Sequence, residues 1–120
     1  MGLFMQSSIA RNKSKSFALR IIKLSKYLMD VKQEYVLSKQ ILRSGTSIGA
    51  NLAEAECAIS KNDFLAKVYI ALKEASETQY WLELLKDSEY ITVTEFNSIF
   101  AECNEITKIL VKTAKTIKQI

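Results

Sequence analysis

Hydrophobic residues recur at offsets of three and four along almost the whole chain, with polar residues between them. An α-helix turns about 100° per residue, so this period lays an apolar stripe along each of several helices. Phe17, Ile21, Leu24 and Leu28 form the first stripe and predict a helix over 14–30. Ala18, Ile22, Ser25 and Met29 make a second, smaller edge that either fills the same core or meets another subunit. Residues 1–12 show no clear period and read as a loose N-terminal tail, leaving 13–120 as the folded domain. After a polar turn at 30–33, Leu37, Ile41, Ile48, Leu52, Ala55 and Ile59 predict a second helix over 34–58.

Ser60-Lys61-Asn62-Asp63 has the order of a helix start. The serine oxygen can accept from a free backbone N–H, and the aspartate sits in the positive first turn. The third helix then runs to Asp87, with Phe64, Val68, Ala71, Leu72, Ala75 and Leu82 inward. Ala66, Ile70, Trp81 and Leu84 fall on a different side, so this helix is apolar on two faces and suggests a neighbouring subunit. Thr92-Val93-Thr94-Glu95 is a capping-box order opening a fourth helix to Lys118. Its stripe is Phe96, Ile99, Phe100, Cys103, Ile106, Leu110 and Ile117. Helices of comparable length joined by short turns are antiparallel neighbours. The predicted fold is therefore all-α, an antiparallel up-down four-helix bundle.

Composition agrees: the 120 residues include no proline and only 3 glycines. No apolar run reaches membrane-spanning length, and the first residues lack the basic-then-apolar order of a signal peptide. Cys57 and Cys103, with no CxxC spacing, read as reduced, packed thiols of a cytoplasmic protein.

The second helix is unusual. Gly45 and Gly49 each cost roughly 1 kcal/mol against alanine in a helix interior. A chain that accepts this brings another helix close, so the segment reads as a packing surface. Beside its apolar side, Gln40, Arg43, Ser47, Asn51 and Glu54 form a polar stripe. Two uses fit this stripe. Either the group fixes helix pairing through satisfied hydrogen bonds, or Arg43 and Asn51 project to a ligand or nucleic acid. Interleaved apolar residues on every turn favour packing.

The net charge of +4 hides a division: residues 1–43 carry +7, 44–105 carry −7, and 106–120 carry +4. Basic charge is expected on the first and last helices. Arg20, Lys23 and Lys26 lie away from the first stripe, and Lys108, Lys112 and Lys115 form a ridge opposite the last. Such ridges suit phosphates through counterion release. They equally suit the acidic helices of another copy, or plain solubility. Tyr35, Tyr80 and Trp81 read as packing groups more than base-stacking platforms. The chain has no histidine, which removes Ser-His and Cys-His pairs and the Glu-x-x-His ligands of bundle di-iron sites. Carboxylates at Glu54, Glu56 and Asp63, or at Glu74 and Glu77, read as solvated surface charge. No enzyme activity, metal or cofactor is expected.

The run Gln40-Ile41-Leu42-Arg43-Ser44-Gly45-Thr46-Ser47-Ile48-Gly49-Ala50-Asn51-Leu52-Ala53-Glu54-Ala55 resembles a bacterial four-helix-bundle family encoded by intervening sequences of 23S ribosomal RNA genes. That family carries a Gln-Ile-x-Arg, Ser-Ile-x-x-Asn-Ile-Ala-Glu pattern here and is often labelled as an S23-type ribosomal protein. Ser60, Asp63-Phe64, Ala71 to Ala75 and Tyr80 to Leu85 also look like its third helix. Many members place glycine after the glutamate where this chain has Ala55-Glu56, which leaves the end of the second helix open. The resemblance implies a homopentameric ring, similar to the accessory variability protein of diversity-generating retroelements. That relative is a basic pentamer that binds nucleic acid and a reverse transcriptase. The expectation is a cytoplasmic, non-catalytic, self-associating protein. RNA or DNA, a reverse transcriptase or another protein are its candidate partners, and a purely structural scaffold is the alternative.

Overall fold

The computed structural model describes residues 2–119, with side chains from Ser8 onward; Met1 lies outside the described residues. Four helices follow one another: α1 (Gly2–Asp30), α2 (Leu37–Ala55), α3 (Lys61–Asp87) and α4 (Val93–Lys118). They form an antiparallel bundle 47 Å long in which α1 packs on α2 and α4, and α3 on α2 and α4. The predicted fold class holds. Phe17, Ile21, Leu28, Ile41, Ile48, Leu52, Leu82, Leu85, Ile106 and Leu110 are the large fully buried side chains, drawn from all four stripes.

The helix ends follow local chemistry. Ser60 is extended and its hydroxyl accepts the Asp63 N–H at 3.0 Å, as its place in the sequence predicts. Thr92 and Glu95 close a full capping box: Thr92 Oγ1 accepts the Glu95 N–H at 3.0 Å, and Glu95 accepts the Thr92 N–H at 2.9 Å. α2 starts differently. Val36 supplies no side-chain cap, so the Glu34 carboxylate accepts the N–H groups of Ser38 (2.8 Å) and Val36 (3.2 Å). Gln33 and Glu89 end the α1 and α3 turns with positive φ (54° and 65°), where glycine is the usual residue. Glu34 N–H then bonds Leu28 C=O, and Tyr90 N–H bonds Leu85 C=O, each at 2.9 Å.

Three expectations need correction. First, α1 is helical from Gly2, not from Ser14, so residues expected to form a loose tail are its opening turns. Ala10 and Ser14 are fully buried there and extend the Phe17–Ile21 stripe. They are small because α2 comes close: a Cβ on Gly49 would lie 3.4 Å from Ser14 Cβ. A seam of small residues carries no hydrophobic period to read. Second, α2 ends at Ala55 and not at Ala58. Cys57 N–H and Ala58 N–H bond carbonyls only three residues back, and Ile59, predicted on the apolar side, stands 94% exposed. Third, of the two thiols expected to be packed, Cys103 is buried and Cys57 is exposed; both are free.

The glycines do bring a helix close, and it belongs to the same chain. A Cβ on Gly45 would meet Ile21 Cγ2 at 2.8 Å and Cγ1 at 2.9 Å. On the other side of α2, the buried Ser44 Oγ accepts a 2.9 Å hydrogen bond from Thr78 of α3. This edge of α2 is occupied by α1 and α3. The second face of α3 is only partly covered. Trp81 and Leu84 are half-buried, whereas Tyr69, Ile70 and Tyr80 are exposed.

Candidate nucleic-acid interface

The two polar sets singled out in the sequence end up in different situations. On α2, the Arg43 guanidinium forms ion pairs with Glu74 (3.3 Å) and Glu77 of α3. Glu77 also accepts from Trp81 Nε1 at 3.2 Å. Glu54, near the other end of the stripe, pairs with Lys67 of α3 at 3.0 Å. Between them, Ser47 Oγ donates to Arg43 C=O (2.6 Å) and Asn51 Nδ2 to Ser47 C=O (2.8 Å). These side chains turn back onto their own helix backbone rather than to each other. Gln40 is exposed at the start of the stripe. Of the stripe, Arg43 and Glu54 tie α2 to α3.

The six basic positions do not form one patch. Arg20 is already engaged: its guanidinium bonds Glu102 Oε1 at 2.6 Å and Ser98 Oγ at 2.8 Å, both on α4. Lys13 pairs with Glu105 at 2.7 Å on the same α1–α4 seam. Lys23 lies one turn further along α1. With Arg20, Leu24, Tyr27, Ile91, Glu95 and Ile99 it lines a shallow cleft of about 230 Å³. Lys26 is exposed on the same helix. Because α4 runs antiparallel to α1, Lys112 lies in the opposite direction, beyond Glu105. At about 1.5 Å per residue the two lysine groups stand roughly 20 Å apart along the bundle.

Lys108, Lys112 and Lys115 do stay together. They occupy positions i, i+4 and i+7 on the outer side of α4, all exposed, and with Thr107 and Val111 they line a shallow surface hollow of about 350 Å³. The opposite side of the same turns is anchored by buried Ile106, Leu110, Thr113, Ala114 and Ile117, which fixes the ridge outward. None of the three forms an ion pair among the described residues, and residues 106–120 contain no acid. Lys118, at the end of the ridge, places its ammonium 5.0 Å from the centre of the Tyr69 ring.

Among the described residues, two groups have shifted titration. Burial pushes the Cys103 thiol up to about 12, so it stays protonated and only donates weakly to Ala75 C=O at 3.6 Å. The Thr92 backbone and side-chain hydrogen bonds hold the Glu95 carboxyl below its ordinary value. Both are structural effects. Among the described residues, no three Cys, Asp or Glu side chains gather in a way that could hold a metal, and no helix is long and apolar enough to cross a membrane.

Sequence reading missed the internal neutralisation of Arg20. Its partners lie 78 and 82 residues away, and only the antiparallel register of α1 and α4 brings them together. It also missed Thr78, whose buried hydroxyl sits on an otherwise apolar face of α3.

Comparison with known proteins agrees with this architecture. A crystallised protein of unknown function from the S23 ribosomal protein family of Bacteroides thetaiotaomicron is 53% identical to this chain. It superposes with a TM-score of 0.91, over 92% of this chain and 98% of its own. No curated protein matches the sequence. The 23S rRNA-intervening sequence protein family matches residues 6–112, nearly the whole bundle, and the chain belongs to that family.

Proposed function

We propose that this protein is a non-catalytic, self-associating accessory that binds RNA or DNA through the phosphate backbone, with the α4 ridge as its main contact. One observation carries the reading. Lys108, Lys112 and Lys115 project from α4 into solvent with no ion-pair partner among the described residues, whereas Arg20 and Lys13 are each held by one carboxylate and Arg43 by two. An unneutralised ridge gains most from releasing the counterions of a polyanion. Lys23 and Lys26 form a separate, weaker site, because Glu95 lies in the same cleft as Lys23. Lysines act here as point charges without the planar fork that reads base edges, so binding is independent of sequence.

Self-association draws support from the outer face of α3, where Tyr69, Ile70 and Tyr80 are exposed. The same face favours a second reading, a scaffold whose charges serve only its own assembly. Replacing Lys108, Lys112 and Lys115 by glutamate separates the two. Loss of RNA retention in a low-salt shift assay, with oligomer mass unchanged by light scattering, is expected. Unchanged retention removes the nucleic-acid reading, and a changed mass with no effect on RNA favours the scaffold.

A further inference from the structure

We infer that the α4 ridge is built for base-paired nucleic acid, gripping the backbone of a duplex, and not for an extended single strand; this rests on the phosphate-binding reading above. Proteins that hold single strands combine a basic groove with aromatic platforms on which bases stack. The α4 ridge lines a shallow basic hollow, but among the described residues no aromatic side chain lines it. Its three lysines stand on the outer side of a straight helix, separated by Val111 and Thr107, and α4 has no aromatic residue after Phe100. Tyr69 on α3 has the Lys118 ammonium over its ring. Unstacked bases would gain nothing on this surface, whereas a duplex keeps its base faces stacked inside and turns its phosphates outward.

Dimensions and charge agree. Lys108 to Lys115 spans seven residues, about 10 Å of helix, enough for two or three successive phosphates of one strand. Each neutralised phosphate releases about 0.9 counterion from a duplex but about 0.7 from a single strand. Three contacts then give slopes of log K against log salt of about −2.7 and −2.1 per engaged protomer. For equal affinity at about 1 M salt, that difference favours the duplex about sixfold at about 50 mM. With contacts confined to phosphates, RNA and DNA duplexes are equivalent on this surface.

Fluorescence anisotropy with three probes of equal length tests the inference: an RNA duplex, a DNA duplex and an unstructured oligouridylate. Both duplexes are expected to bind alike and several-fold more tightly than the strand, and Lys112→Gln to reduce the duplex slope by about 0.9 per engaged protomer. A strand held as tightly as the duplexes overturns the inference and leaves phosphate binding in place. Failure of all three probes to bind removes both.

Discussion

α2 and α4 both carry a polar stripe at helical spacing, and the two stripes meet opposite fates. On α2, Arg43 and Glu54 are matched by Glu74, Glu77 and Lys67 of α3, and the residues between them bond their own backbone. On α4, Lys108, Lys112 and Lys115 find no acidic partner among the described residues. Period alone places polar residues on a face. The charge of the neighbouring helix decides whether that face is used inside the fold or left for a partner.

The same contrast runs through α2 itself, between the tight side against Ile21 and the looser one against Ser14. Gly45→Val should be the most damaging single change. Its Cβ would fall within 2.9 Å of two Ile21 carbons, and overpacking of this kind costs about 1–3 kcal/mol. Gly49→Ala meets only ordinary contacts and should stabilise by about 0.5–1 kcal/mol through helix propensity. Urea denaturation of both variants checks the pair, and equal shifts would mean that α1 and α2 are not so close at Gly45.

Next in size is Thr78→Val, which removes the donor to Ser44 inside the α2–α3 seam. A loss of about 1–2 kcal/mol is expected in the same titration. Arg43→Ala should cost under about 1 kcal/mol, since the arginine is half exposed, and should leave RNA retention unchanged. Weakened retention in that variant would move α2 from the structural column to the functional one.

The smallest effect concerns pH. Glu95 has a lowered pKa in the folded chain, so its cap stabilises fully above the unfolded carboxyl range and is lost as pH falls through the lowered value. Glu95→Gln should therefore flatten the acid limb of a thermal-melt series below about pH 4.3 and leave its neutral plateau less pH-sensitive. An unchanged acid limb would show that the capping box contributes nothing to acid stability.

How much of this was legible in the sequence follows the size of the side chains. Bulky stripes such as Phe96–Ile99–Cys103–Ile106–Leu110 announced their helices, and the Ser60 and Thr92 caps fixed two starts to the residue. The first turns of α1 stayed hidden because their buried positions are Ala10 and Ser14, small residues suited to a glycine partner and silent in a hydrophobic period. The end of α2 was misread because Ile59 continues the spacing after the backbone has already turned away. The α4 ridge was visible as spacing and charge. What spacing could not give was the pairing of Arg20 with Glu102 and Ser98, or the distance separating the α1 lysines from those of α4, since both depend on register between helices.

Lysine acetylation footprinting by mass spectrometry, with and without a short RNA duplex, tests the central claim at every lysine in one experiment. Protection by RNA is expected at Lys108, Lys112 and Lys115, with Lys39 and Lys73 on the α2–α3 side labelled equally in both states. Protection concentrated on the α2–α3 side, with the α4 ridge unaffected, would contradict the account.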